Sequence, residues 1–210
     1  MFQLDQIRSA LKTFDPVLAP VGESTRQAAV AIILKTPART AHADSGGATN
    51  VDAADVERRE NQCEVLFIQR AERPGDPWSG HMAFPGGPLE AEDASLRHCA
   101  MRETLEEIGV SLEGADYLGA LDHQQAQPKG RVLNMLIAPH VFLLHEEPAV
   151  KLNYEVAEVV WAPLNALAGN GLHATQTLPM SGKPTVFNGY RLEHGHFVWG
   201  LTYRILKSFF

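Results

Sequence analysis

The nine residues Arg102-Glu103-Thr104-Leu105-Glu106-Glu107-Ile108-Gly109-Val110 constrain this chain more than any other stretch. Glu103, Glu106 and Glu107 stand at i, i+3 and i+4, so on a helix they project from one side. With 100° between successive residues, the three fall within an arc of about 100°. Met101, Leu105 and Ile108 fall roughly opposite, which predicts a helix with an apolar back in the core and carboxylates on the other face. Gly109 supplies the stop. Like charges at this spacing repel, and a bound cation turns that cost into a site, because hard divalent ions take carboxylate oxygens. The plain alternative is a solvated acidic helix face. Five specified residues, Arg102, Glu103, Glu106, Glu107 and Gly109, match by chance on the order of once in a million start sites at typical usage, which favours the site.

One loop upstream stands Phe84-Pro85-Gly86-Gly87. Its glycines let the backbone turn tightly and come close to a metal or phosphate. Taken together, the two segments resemble the Nudix box, whose pattern is G-x5-E-x7-R-E-U-x-E-E-x-G-U with U aliphatic. The match has departures. Asp93 stands where the family usually has Glu, with Glu92 an equal candidate for that acidic position. The stretch from Asp93 to Arg102 is one residue longer than the pattern, and Thr104 replaces an aliphatic residue.

The resemblance implies a Nudix fold: an α/β chain with a mixed β-sheet in an α/β/α sandwich, an N-terminal helix and a C-terminal helix. It implies Mg²⁺, or Mn²⁺, held by Glu103, Glu106 and Glu107 with the Gly87 backbone, since only oxygen ligands are on offer. Arg102 then orients a box glutamate through a bidentate pair. The implied reaction is hydrolysis of a diphosphate linked to another group, with Glu103 or Glu106 taking the proton of the attacking water. Glu155 and Glu158, beside a later strand, are the candidates for a base outside the box.

Leu66-Phe67-Ile68-Gln69-Arg70-Ala71 and Gly80 through Gly87 are similar to the fingerprint of the coenzyme A pyrophosphatase branch, L-L-T-x-R-[SA]-x3-R-x3-G-x3-F-P-G-G. Asp76 holds the position of the second arginine counted back from Gly80, and the spacer is one residue longer; either Arg73 substitutes for it or the substrate differs. The substrate implied is coenzyme A or acyl-coenzyme A, cleaved to 3′,5′-ADP and a 4′-phosphopantetheine product, with Arg70, Arg73 and Gly86 at the phosphates. ADP-ribose, a nucleotide sugar or a dinucleoside polyphosphate are the alternatives within the same chemistry. A nucleotide-sensing module is a third reading, disfavoured because all three box glutamates are kept. Trp78 either stacks on adenine or pins its loop, and His81 is read as structural.

A net charge of −7 argues against a nucleic-acid partner, so any phosphate site depends on local arginines and metal. Cys63 and Cys99 form no C-x-x-C pair, and a reducing cytoplasm is the natural reading. No segment approaches a membrane span. Leu4, Ile7, Leu11 and Phe14 predict an amphipathic docking helix closed by Asp15-Pro16. Residues 1–25 are thus read as a helical extension and 26–210 as the Nudix domain. Strands are expected at 28–34, 64–69, 117–121, 133–144 and 156–161, with a short helix over 164–168. The first two are joined by a long mobile loop at about 36–61, and 124–130 is read as loop. Residues 169–184 are also read as loop, followed by a small hairpin over 187–191 and 196–198 and a helical end over 199–210. Many Nudix enzymes pair as dimers, so a homodimer is in keeping with the resemblance, though nothing in the chain specifies its interface.

Overall fold

The computed structural model describes residues 3–22, 24–36, 63–76, 78–126, 134–169, 171–180 and 182–210. The loop expected at 36–61 lies outside them apart from residue 36, as does the Pro128-Lys129-Gly130 turn.

The long apolar strands β1 (Arg26–Lys35) and β7 (Met135–Leu144) run parallel and in full register, from Arg26 opposite Met135 to Lys35 opposite Leu144. Nearly continuous burial along both marks strands covered on two faces. β2 (Glu64–Arg70) meets β1 antiparallel at Leu34↔Val65 and Lys35↔Glu64, as expected of strands flanking an expanded hairpin. The two then diverge. β3 (Met82–Ala83) pairs with β2 and β4 (Gly86–Pro88) pairs with β1, so the chain from 82 to 88 fills the wedge between them. β5 (Asp116–Ala120) and β6 (Gln124–Gln125) follow one another along β7, and β8 (Val156–Pro163) runs antiparallel along β2. Among the described residues, eight strands therefore form one mixed sheet.

Alternation along β1 sends Ala29, Ala31 and Ile33 to one face and Ala28, Ile32 and Leu34 to the other, as a period of two requires. The first face packs on α2 (Leu96–Ile108) through Cys99, Ala100 and Ile108. The second packs on α1 (Leu4–Thr13), α3 (Leu164–Ala168) and α4 (Gly200–Phe209) through Ile7, Leu11, Leu164, Ile205 and Leu206. The result is the expected α/β/α sandwich. The Phe14 expectation fails: α1 ends at Thr13, and Phe14 is 41% exposed, because the residue before Asp15-Pro16 has already turned extended.

Two segments read as loop are strands. Gln124–Gln125 is β6. Residues 169–184 hold β9 (His173–Met180), which pairs with β10 (Lys183–Arg191) over eight positions; β11 (Phe197–Trp199) completes a second, three-stranded antiparallel sheet. Tyr190 and Val198 anchor that sheet to the core.

The α2 side of the sheet carries a titratable group with a clear stability signature. His140 on β7 is 8% exposed, its Nδ1 lies 3.0 Å from the Tyr117 hydroxyl, and burial pushes its pKa down to about 4, with His123 and Arg97 acting in the same sense. The unfolded chain takes up the proton near pH 6.5 and the folded one resists it, so stability is held above pH 6.5 and lost as pH falls towards 4. At about 1.4 kcal/mol per pKa unit, roughly 2 kcal/mol disappears between pH 7 and pH 5. Urea unfolding at the two pH values should show this loss as the difference between wild type and His140→Phe, since the raised Glu107 carboxyl gains stability over the same interval in both proteins. An unchanged pH slope in the variant would refute the assignment.

Candidate active site

α2 is defined at both ends. Ser95 accepts a hydrogen bond from the His98 N–H at 3.2 Å, and Gly109, at φ 70°, closes the helix with its N–H donating to Leu105 O at 2.9 Å. The buried face differs from the one expected. Cys99, Ala100, Thr104, Glu107 and Ile108 are buried, whereas Leu105 is 52% exposed and Met101 half-buried. At 100° per residue this buried arc has Glu107 near its middle. The helix lies against small residues, Ala29 and Ala31 of β1 and the β4 glycines, and this close approach leaves the bulky Leu105 outside. Thr104 takes an aliphatic position by donating its hydroxyl to Ala100 O at 2.7 Å.

The 82–88 wedge supplies the other half of the site. Phe84 stacks on Phe67 at 5.2 Å, fixing the entry to the turn. The Gly86 N–H donates to the Glu107 carboxylate at 2.9 Å, and the Glu103 carboxylate lies directly against Gly87 Cα. Arg102 ties the assembly together. Its Nε and Nη2 both donate to Asp93 at 3.0 Å, Nη1 donates to Glu103 at 2.9 Å and Glu106 at 3.2 Å, and Nη2 also reaches Pro88 O at 3.0 Å. Asp93, rather than the exposed Glu92, is thus the acidic partner of Arg102.

Electrostatics follow from burial. The Glu107 carboxyl is pushed up to about 7, first by burial, with the Glu103 charge adding to it and the Gly86 N–H opposing. Burial also raises Glu103 and outweighs the Arg102 ion pair. The Arg102 hydrogen bonds hold Asp93 below the usual carboxylate range. Cys99, wedged beneath the turn, is pushed up to about 12 by burial and is no nucleophile.

Glu103, Glu107, Gly86, Gly87 and Arg70 line one cavity of about 1580 Å³. Glu106, 55% exposed at its side chain, stands beside it in the Arg102 network. Arg70 is paired with Asp76 at 2.9 Å, and Asp76 also accepts from the Trp78 N–H, which pins the loop. Arg73 is paired with Glu155 at 3.1 Å and stacks over Tyr154 at 4.4 Å. Glu155 reaches the cavity because its segment is bound by backbone hydrogen bonds: Lys151 N–H to Ile108 O, Asn153 N–H to Glu107 O and Ala71 N–H to Glu155 O. Glu158 turns instead to His196, at 3.1 Å. His81 packs its ring on Trp199 at 4.8 Å. Sequence reasoning missed the cavity's far wall on β9 and β10, where Pro179 and a run of Thr and Gln hide the alternation of Ala174, Leu178 and Met180.

Among the described residues no three His, Cys, Asp or Glu side chains converge into a ready metal cage. Arg102 explains part of this, since its guanidinium draws Glu103 and Glu106 to itself. The donor set nevertheless fits a hard cation: all oxygen, with a buried carboxylate whose ionisation a neighbouring negative charge opposes. Glu103, Glu106, Glu107 and the Gly87 carbonyl are the groups that would hold it.

Fold and site together define an α/β sandwich protein with an acidic helix facing a glycine turn at a sheet opening. A NUDIX domain model matches residues 48–180, and the chain belongs to the Nudix family. An uncharacterized protein of Schizosaccharomyces pombe is 43% identical over 104 residues, 48% of this chain and 32% of that protein, so the match spans about a third of that relative. The uncharacterized Nudix hydrolase NudL of Citrobacter koseri is 29% identical over 174 residues, 75% of this chain and 84% of the relative. Among solved structures, a MutT/nudix family protein from Enterococcus faecalis shares the fold with a TM-score of 0.51 at 19% identity, covering 99% of this chain and 68% of that one.

Proposed function

We propose that this chain is a divalent-metal-dependent pyrophosphohydrolase acting on a nucleoside diphosphate joined to a second group, and that its substrate is coenzyme A or an acyl-coenzyme A. The observation that carries the reaction class is the convergence of Glu103 and Glu107 on the Gly86-Gly87 turn within one cavity. When bound, Mg²⁺ or Mn²⁺ neutralises charge on the diphosphate oxygens and acidifies the attacking water. Arg102 keeps Glu103 and Glu106 aimed through charge-assisted hydrogen bonds, with Asp93 as its anchor. Glu103 or Glu106 takes the proton from water, and Glu155 is the candidate base from outside the box. Water attacks one phosphorus, and the other phosphate leaves with its attached group. Residues 26–210 form the hydrolase unit, with 1–25 as its helical extension.

Arg70-Ala71, Gly80 and Phe84-Pro85-Gly86-Gly87 support the coenzyme A reading. An incoming phosphate competes with Asp76 for Arg70 and with Glu155 for Arg73. Arg70→Ala should therefore raise KM about tenfold or more with a smaller change in kcat, the loss of a charge-assisted hydrogen bond. Equal KM values for variant and wild type in steady-state assays would remove Arg70 from the phosphate site.

The reading is tested by incubating the protein with Mg²⁺ and coenzyme A, acetyl-coenzyme A, ADP-ribose, a nucleotide sugar or a diadenosine polyphosphate, and resolving the products. Release of 3′,5′-ADP and a 4′-phosphopantetheine product is the expected result. Turnover of ADP-ribose or the nucleotide sugar alone keeps the chemistry and discards the substrate. No turnover of any compound, with nucleotide still bound, overturns the enzyme reading.

A further inference from the structure

Both arginines assigned to the substrate phosphates are engaged with carboxylates, Arg70 with Asp76 and Arg73 with Glu155. The Arg70 pair carries a charge reversal. Counted back from Gly80, Asp76 stands where a second arginine is expected, so a negative charge lies beside Arg70 in place of a positive one.

This pair is built differently from the other arginine–aspartate pair of the site. Arg102 offers Nε and Nη2, one edge of its guanidinium, to Asp93 and makes both bonds at 3.0 Å. Arg70 gives Asp76 its Nη2 alone, at 2.9 Å, and its Nε is buried with no hydrogen-bond partner among the described residues. A guanidinium edge binds most strongly when both of its donors are taken by one anion, and a buried donor without an acceptor costs free energy. The Arg102 fork is therefore closed, and the Arg70 fork is half-made. Arg70 lines the cavity, and a phosphate group brings oxygens for both donors of that edge. Asp76 meanwhile stays at hand. Its other oxygen accepts from the Trp78 N–H at 2.9 Å, the Arg73 N–H donates to Ser79 Oγ at 2.8 Å, and the Arg70 N–H donates to His81 O at 3.0 Å. The loop is thus closed on itself, and it keeps the carboxylate within reach of Arg70 after the guanidinium has changed partners.

We propose that Asp76 is a positioning residue, an internal anion that yields Arg70 to a substrate phosphate and takes it back as product leaves. The inference rests on the assignment of Arg70 to the diphosphate and adds a second player to it. A tethered carboxylate competes at high effective concentration with every phosphate-bound state. It therefore weakens the hold on substrate and product alike, and it shortens the time a nucleotide stays bound.

The test uses N-methylanthraniloyl-ADP, a fluorescent nucleoside diphosphate, in Mg²⁺. Titration reads its Kd, and stopped-flow displacement by unlabelled ADP reads its dissociation rate. The proteins are the wild type, Asp76→Asn, Asp76→Glu, Arg70→Ala and the Arg70→Ala/Asp76→Asn double variant. Asparagine keeps an oxygen for the Trp78 N–H and removes the charge; Asp76→Ser does the same and stands in where the asparagine variant fails to fold. Asp76→Asn should bind roughly tenfold tighter, mainly through slower dissociation, the scale of one charge-assisted hydrogen bond. Asp76→Glu should return the Kd close to that of the wild type, and Asp76→Asn should change nothing once Arg70 is gone. A folded Asp76→Asn protein with an unchanged or weaker Kd overturns the inference, because Asp76 then only braces its loop. If Arg70→Ala weakens binding in that case, the Arg70 assignment still stands. An equal tightening with and without Arg70 also overturns it, since the carboxylate then acts on the ligand directly. An unchanged Kd in Arg70→Ala removes Arg70 from the phosphate site and takes the inference with it.

Discussion

Glu107→Gln should lower turnover by on the order of a thousandfold while leaving the melting temperature unchanged or higher. The two halves of this expectation have one cause. Glu107 is 2% exposed, and burial together with the nearby Glu103 charge makes its ionised form unfavourable. Such a charge weakens the fold, and it persists where something else binds it. Glutamine keeps the shape and an oxygen to accept from the Gly86 N–H, so packing survives and the desolvation cost disappears. What is lost is a negative ligand at the metal. Glu106→Gln should lose comparable activity with a stability change within about 0.5 kcal/mol, because that side chain is mostly in solvent. Kinetics on the substrate found in the panel, thermal melts and a Mg²⁺ titration measure turnover, stability and metal affinity in turn. If both variants kept near wild-type turnover, the metal assignment would be wrong.

The inversion of the helix face shows where sequence reasoning stops. The stop at Gly109, the strands around β1 and β7, and the short helix after Pro163 were legible because each rests on a local pattern, whereas the Ser95 cap was not read. The wheel placed Leu105 inside and Glu107 outside because it weighs residue type alone. The packing weighs what lies opposite, and Ala29, Ala31 and the glycine turn admit a close helix in which a carboxylate meets a backbone N–H. β9 was illegible for a related reason. Its Thr, Gln and Pro residues read as loop, and only pairing with β10 makes it a strand. The ion pairs of Arg70 and Arg73 were equally hidden, since Glu155 lies 82 residues from Arg73 and meets it only through the zipper of Lys151, Asn153 and Ala71. Asp76, seen in the sequence as a missing arginine, is the anion that holds Arg70.

Gly86→Ala and Gly87→Ala, adjacent and chemically identical changes, should fail in opposite ways. Gly86 has φ 155°, and a Cβ there would fall inside contact distance of Ala29 O, 2.6 Å from Val30 Cα and 2.8 Å from Val30 Cγ1. Those are atoms of the central strand, held by the β1–β4 and β1–β7 registers, and they have nowhere to go. Backbone strain and overpacking together should cost about 3 kcal/mol or more, a fall of roughly 10 °C in melting temperature. Gly87 has no positive φ, and its new Cβ would meet the end of the Glu103 side chain, 2.5 Å from Cδ and 2.7 Å from Oε2. A flexible carboxylate can swing aside, so the Gly87 variant should melt within a few degrees of the wild type. The displaced Glu103 then leaves both the turn and its 2.9 Å bond from Arg102, and turnover should fall at least a hundredfold, the scale of removing one aligned polar group from a site. Paired thermal melts and kcat measurements separate the two effects. Equal losses of stability in both variants, or full activity in the Gly87 variant, would show that Glu103 does not act from its place against the turn.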